Sequence, residues 1–182
     1  ISFDQPAFTT NTDANGVLNV LEAARLMCPE ARIYQAGSSE MFGNEEDEDG
    51  YRRETTPMLP VSPYGCAKLY AYDMFISNGI LFNHESPRRG LNFVSNKIVA
   101  GAVDISKGLA TTLPLGNLDA TRDWGHAKDY VRAMWMMLQH DTPDEFVCAM
   151  GESHSVRELC AEVFSELDMD YRDFVTRDER YF

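Results

Sequence analysis

The sequence is short of positive charge, of paired cysteines, of long apolar runs and of the glycine-rich turn that cradles a dinucleotide. Each shortage removes a class of function. Sixteen lysines and arginines stand against 29 aspartates and glutamates, a net charge of −13, which argues against a nucleic-acid or membrane-surface partner because either needs a basic face. The four cysteines, Cys28, Cys66, Cys148 and Cys160, form no Cys-x-x-Cys pair, and their apolar or helical contexts predict reduced core residues. His126, His140 and His154 have no metal-ligand spacing, so no metal site is expected. No apolar run reaches the roughly 18 residues of a membrane span, and the N-terminus lacks the basic start and apolar core of a signal peptide. A cytoplasmic location is expected by elimination. No G-x-x-G-x-x-G occurs, so the strand-turn-helix that holds a cofactor pyrophosphate is not in this chain. Ile1 to Asp4 and Tyr181-Phe182 both read as cuts in a longer chain.

With 182 residues, 44% of them hydrophobic, there is enough material for one compact core or most of a larger one. Pro6 to Cys28 carries Val17, Val20, Leu21, Ala24, Met27 and Cys28 at the spacing of one buried helical face, and Pro29 closes it. Ala31–Ala36 reads as a buried strand running into the polar cluster Gly37-Ser38-Ser39-Glu40. Ligands of open α/β sheets bind at such strand ends. The run Glu45–Asp49 and the stretch Pro57–Pro63 read as exposed loop, a solvated surface or the rim of a site. Ser62-Pro63 then caps and opens a helix.

Gly79–Phe82 predicts a buried strand followed by the polar run Asn83–Gly90. Helices are predicted around Val94, Ile98, Ala102 and Ile105, and around Tyr130, Val131, Met134, Trp135 and Leu138. Another follows the capping box Ser155 with Glu158, carrying Val156, Leu159, Val163 and Leu167. Thr111–Leu115 and Phe146–Ala149 are predicted strands. Trp124 and Trp135 read as core or interface aromatics, and Met134, Met136 and Met137 as helix packing. Alternating strands and helices of this kind predict an α/β fold with a doubly wound, mainly parallel sheet.

The chemistry concentrates at Tyr64-Gly65-Cys66-Ala67-Lys68. Tyr and Lys four apart lie on one helical face, where the ammonium can favour the phenolate, letting Tyr64 take a hydroxyl proton while a nicotinamide takes the hydride. Tyr-x-x-x-Lys also arises by chance in many helices. Its Ser-Pro lead-in and the Ser38-Ser39-Glu40 cluster upstream add weight.

Ser62-Pro-Tyr-Gly-Cys-Ala-Lys-Leu-Tyr-Ala-Tyr72 is similar to the active-site helix of extended short-chain dehydrogenases. The runs Asn78–Gly90 and Leu115–Tyr130 resemble those of GDP-mannose 4,6-dehydratases, and the resemblance extends from Ser2-Phe3-Asp4 to Tyr181-Phe182. It implies a Rossmann-like fold in which residues 1–90 form the C-terminal half of the NADP-binding domain. Residues 91–182 then form mainly the substrate-binding region, with segments returning to the sheet. The cofactor-binding N-terminal half would lie before Ile1.

The implied reaction turns GDP-mannose into GDP-4-keto-6-deoxy-mannose: oxidation at C4 by NADP, loss of water across C5 and C6, and return of the hydride to C6. Such chemistry belongs to nucleotide-sugar metabolism, as in GDP-fucose biosynthesis. The resemblance makes Tyr64 and Lys68 the oxidation pair, Glu40 the base and then acid at C5 and C6, and Ser38 the partner of the C4 oxygen. His84 and Arg89 match NADP contacts, as do Tyr64 and Lys68. Ser39, Asn83, Lys97 and Arg122 are candidates for GDP-mannose, since a diphosphate on an acidic protein needs local cations. For Arg88 and Arg122 a solvated or structural ion pair is the other reading. A homodimer or homotetramer is implied as well.

The chain departs from the family in two side chains: Ser38 stands where Thr is usual, and Phe8 where a cofactor-touching Tyr is usual. It departs in length too. Relative to the family about ten residues are missing between Tyr72 and Asn78, so a helix opening at Pro63 would end near Ser77 and turn directly into a strand. Other classes stay open. A related sugar-nucleotide epimerase or decarboxylase would share Tyr and Lys but lack Ser-x-Glu at a strand end, and a non-catalytic remnant would act as a binding partner.

Overall fold

A computed structural model describes residues 1–72 and 77–179. The join expected to be short, between Tyr72 and Asn78, falls largely on residues 73–76, and these lie outside the described residues, as do Tyr181 and Phe182. In chain order the helices are α1 (Pro6–Thr10), α2 (Gly16–Met27), α3 (Pro63–Tyr70), α4 (Val94–Ser106), α5 (Ala127–Gln139) and α6 (Val156–Ser165). The strands are β1 (Tyr34–Ala36), β2 (Ser77–Leu81), β3 (Asn83–Glu85), β4 (Leu113–Leu115), β5 (Thr121–Arg122), β6 (Trp124–His126), β7 (Glu145–Cys148), β8 (His154–Ser155) and β9 (Val175–Arg177).

The chain forms two compact units, Ile1–Phe82 with Lys128–Ala149, and Asn83–Ala127 with Met150–Phe182. The first is built on a parallel sheet of order β1-β2-β7. Its middle strand, β2, is buried at every position, as expected of a parallel strand covered on both faces. Successive side chains point to opposite faces. Ile80 packs with Met41, Phe42 and Leu69 on one side, while Leu81 packs with Tyr130 and Met137 of α5 on the other. Helices on both faces make the sheet doubly wound.

The single helix predicted from Pro6 to Cys28 is interrupted. A π-helical turn, Asn11–Asn15, separates α1 from α2, with the Gly16 N–H bonded to the Asn11 carbonyl. The apolar stripe of α2 is not buried as predicted: Val17, Leu21 and Ala24 are half-buried, and Val20, Met27 and Cys28 are exposed. Among the described residues β1 is the outermost strand of its sheet, and no residue of α2 is buried. Helix α3 ends at Tyr70, well before Ser77.

The second unit packs α4 and α6 around β4. Ile98, Ala102, Ile105, Leu113, Leu115, Val156, Cys160 and Phe164 form its core. Short pairs frame it: β3 with β6 and β4 with β9 in parallel, β5 with β8 antiparallel. The Ser155/Glu158 capping box forms as predicted. Trp124 packs on this core.

Two predictions about side chains fail, the core placement of the cysteines and the packing of all three methionines. Only Cys160 of the four cysteines is buried, Cys148 is half-buried, and Cys28 and Cys66 are exposed. On α5, Met137 is buried and Met134 partly so, whereas Met136 and Trp135 face outward. No helix among the described residues is long and apolar enough to cross a membrane, and no cluster of three or more His, Cys, Asp or Glu there could hold a metal.

Candidate active site

Helix α3 opens at its predicted cap. Ser62 is extended, its hydroxyl accepts the Gly65 N–H at 3.0 Å, and Pro63 occupies the first turn. One turn apart, Tyr64 and Lys68 share a face, with Lys68 Nζ 5.5 Å from the Tyr64 ring centre. The Lys68 side chain is 13% exposed and its ammonium lies 3.9 Å from the Asp13 carboxylate of the π-helical turn. It also donates to the Ala36 carbonyl at 3.3 Å. Because Ala36 ends β1, Lys68 is held at the C-terminal end of a parallel strand.

The Ser38–Glu40 cluster grows from the same strand end. The Gly37 N–H donates to the Gly79 carbonyl at 2.8 Å, and a Cβ on Gly37 would sit 2.7 Å from that oxygen. Ser38 then caps a 3-10 turn, Ser39–Met41, its hydroxyl oxygen accepting the Glu40 N–H at 3.3 Å. Met41 and Phe42, both fully buried, anchor the turn. Glu40 is exposed, and its carboxylate has no partner among the described residues.

The two motifs meet at Gly65. A Cβ there would lie 2.7 Å from the Glu40 carbonyl oxygen and 2.9 Å from Pro60 Cβ, so glycine lets α3 lie directly on the Glu40 turn. Sequence reasoning singled out neither Gly65 nor Asp13. Gly65 carried a signal, since glycine in the first turns of a helix gives up roughly 1 kcal/mol relative to alanine and is kept where something needs the space. Asp13 carried none, because its partner lies far along the chain. Phe8, on α1, is exposed.

The remaining candidates lie in the second unit. Asn83 and His84 are on β3, half-buried, paired with Trp124 and Gly125 of β6. The Arg89 guanidinium stacks 3.5 Å from the Phe93 ring centre, and its Nε lies 3.3 Å from Glu85. Glu85 in turn accepts the Ser95 hydroxyl at 2.6 Å. Lys97 donates to the Pro114 carbonyl at 2.7 Å. Arg122 is exposed and donates to the Thr121 carbonyl at 2.7 Å. Arg88 and Arg122 are both exposed and, among the described residues, neither forms an ion pair.

A family model described as GDP-mannose 4,6 dehydratase matches residues 1–180. The chain belongs to the GDP-mannose 4,6-dehydratase family. It is 50% identical over 171 residues to the GDP-mannose 4,6-dehydratase of Vibrio cholerae, covering 87% of this chain and 45% of that protein. To the human GDP-mannose 4,6 dehydratase it is 49% identical over 176 residues, covering 90% and 47%. With GDP-mannose 4,6 dehydratase 2 of Arabidopsis thaliana the identity is 46% over 196 aligned positions, covering 100% and 52%. The chain thus spans about half the length of the curated relatives it matches. Those 196 positions against 182 residues mean that the plant relative carries residues with no counterpart inside the matched stretch.

Among solved structures, RMD from Pseudomonas aeruginosa complexed with NADPH superposes with a TM-score of 0.88 at 22% identity, covering 98% of this chain and 65% of that one. DesIV, the dTDP-glucose 4,6-dehydratase from Streptomyces venezuelae with NAD and TYD bound, gives 0.81 at 21%, covering 100% and 58%. At these identities the likeness establishes the Rossmann-like α/β fold of this dehydratase family.

Proposed function

We propose that the chain carries the catalytic turn and catalytic helix of an enzyme that dehydrates GDP-mannose to GDP-4-keto-6-deoxy-mannose. One observation carries the reading: Gly65 seats α3 on the Glu40 carbonyl, gathering a carboxyl, a phenol and an ammonium at the end of a parallel strand. Family membership at 46–50% identity supports the substrate.

The residues at that strand end suit a nicotinamide nucleotide, since Lys68 presents a cation beside a phenol where dinucleotides lie in open sheets. NADP, when bound, supplies the hydride acceptor at C4 and the hydride donor at C6. Tyr64, Lys68, His84 and Arg89 are the residues that would hold it. Lys68, fixed by Asp13 and the Ala36 carbonyl, favours the Tyr64 phenolate, which takes the C4 hydroxyl proton. The Ser38 oxygen accepts the Glu40 N–H, which leaves its own O–H to donate to the C4 oxygen. Glu40, with its carboxylate unpartnered, removes the C5 proton and delivers it to the C6 hydroxyl, which leaves as water. Ser39, Asn83, Lys97 and Arg122 receive the GDP-sugar. In this reading residues 1–90 complete the cofactor domain, residues 91–182 are mainly the substrate region, and the enzyme works as a cytoplasmic homodimer or homotetramer.

Incubating the protein with NADP and GDP-mannose deuterated at C4 tests the reading. The expected product is the 4-keto-6-deoxy sugar with deuterium at C6 and no net NADPH. Glu40→Gln should lower turnover by about 10²–10⁴-fold. Absence of product, or of deuterium at C6, would overturn it.

A further inference from the structure

We infer that Asp123 is the positioning residue of the nucleotide-sugar wall in the second unit, acting through a carboxylate clamp on the Met150-Gly151 turn. The inference rests on the reading above, in which Asn83 and Arg122 meet the substrate. Asp123 is 6% exposed, although Arg122 beside it is exposed. Its Oδ1 accepts the Met150 N–H at 2.9 Å, and its Oδ2 accepts the Met150 N–H at 3.0 Å and the Gly151 N–H at 2.8 Å. No cation pairs with it among the described residues. A buried carboxylate is costly unless it is hydrogen-bonded, so one held by backbone N–H groups calls for a reason. Gly151 has φ +82°, a left-handed conformation that glycine adopts without strain.

The topology supplies that reason. Asp123 is the one residue between β5 and β6. Strand β5 sets Arg122 opposite His154, and the clamped Met150-Gly151 turn leads into β8, which holds His154. Strand β6 sets Trp124 opposite Asn83 and Gly125 opposite His84. One carboxylate therefore fixes the junction from which the strand of Arg122 and the partner strand of Asn83 and His84 both extend. Among the described residues Arg122 has no acidic partner to aim it, so the backbone that Asp123 holds sets its place. Asparagine at this position keeps only one acceptor oxygen and turns an N–H₂ toward N–H donors.

The test uses the intact protein, with Trp135→Phe as background so that, of the tryptophans in this sequence, Trp124 alone reports by fluorescence. For Asp123→Asn, KM for GDP-mannose and Kd for GDP should rise about tenfold, with kcat within about twofold and the Trp124 response to GDP moved to higher concentration. Asp123→Glu should recover part of the affinity. A fall in kcat with unchanged KM and Kd, or no change in any of them, would overturn the inference. If Asp123→Asn does not fold, Gly151→Ala strains the same clamp from the other side and should raise the GDP Kd with Asp123 intact; unchanged affinity refutes the clamp. Should the unsubstituted protein bind no GDP, the proposed reaction is what fails. Hydrogen exchange at Met150 and Gly151 then decides on Asp123: lost protection in the Asn variant upholds the clamp, and retained protection rejects it.

Discussion

Lys68 and Arg122 carry the same charge in opposite surroundings. Lys68 is nearly enclosed, its ammonium set between the Ala36 carbonyl and the Asp13 carboxylate and facing the Tyr64 ring. Arg122 is exposed, bonded among the described residues to the carbonyl of Thr121, and the carboxylate next to it in sequence turns inward to backbone N–H groups. The contrast suits the two tasks proposed for them. A cation that must act on a phenol at a set distance is most effective when held before the substrate arrives. One that must catch a diphosphate keeps its donors free, and only the strand beneath it is fixed.

The largest effect expected from that contrast is at the enclosed cation. Lys68→Ala should lower kcat by about 10²–10⁴-fold, read by product formation at saturating GDP-mannose; a change confined to KM would erase the distinction between the two cations. Gly65→Val comes next. Its added carbon would lie 2.7 Å from the Glu40 oxygen, so the turn or the helix must move, and a misplacement of about 1 Å can cost roughly 10²-fold in rate. Overpacking should also remove about 1–3 kcal/mol of stability, measured by thermal melting. Arg122→Ala is expected to raise KM about tenfold and leave kcat nearly unchanged, because charged hydrogen bonds contribute roughly 1.5–3 kcal/mol.

The smallest effect sharpens the comparison with a third cation, exposed yet paired. Arg53 binds Asp47 and Asp49, each at 2.6 Å, in the loop between the Glu40 turn and α3. Its guanidinium holds the Asp49 carboxyl at about 2, and the Thr56 hydroxyl together with Arg53 holds Asp47 below its ordinary 3.8. Both groups are more acidic in the fold than in the free chain, so their stabilisation is present above the ordinary carboxyl range and is lost as pH falls, for Asp49 toward about 2. Hydrogen exchange across Glu45–Thr56 should show a modest loss of protection over that fall in pH. Unchanged protection would mean that the pairs add nothing to the loop.

Much of the fold was legible because its signals are local. Ser62-Pro63 and Ser155/Glu158 start helices through bonds made within one turn, and Ile98, Ala102 and Ile105 fall on one face of α4 by spacing alone. The pairing of Tyr64 with Lys68 was legible for the same reason. The α2 stripe was misread, because spacing marks a face able to be buried and says nothing of what covers it. Cys28 and Cys66 were misread likewise, as apolar surroundings in sequence do not reveal which side of an element faces out.

By itself the sequence determined the helix starts, the parallel α/β pattern and the family, since these depend on short-range hydrogen bonds, on periodicity and on residue identity along long motifs. Tertiary structure alone decided that Asp13 meets Lys68, that Gly65 bears on the Glu40 carbonyl and that Asp123 clamps Met150-Gly151. Each joins segments distant along the chain, and such contacts exist only once the strands have paired and brought their ends together.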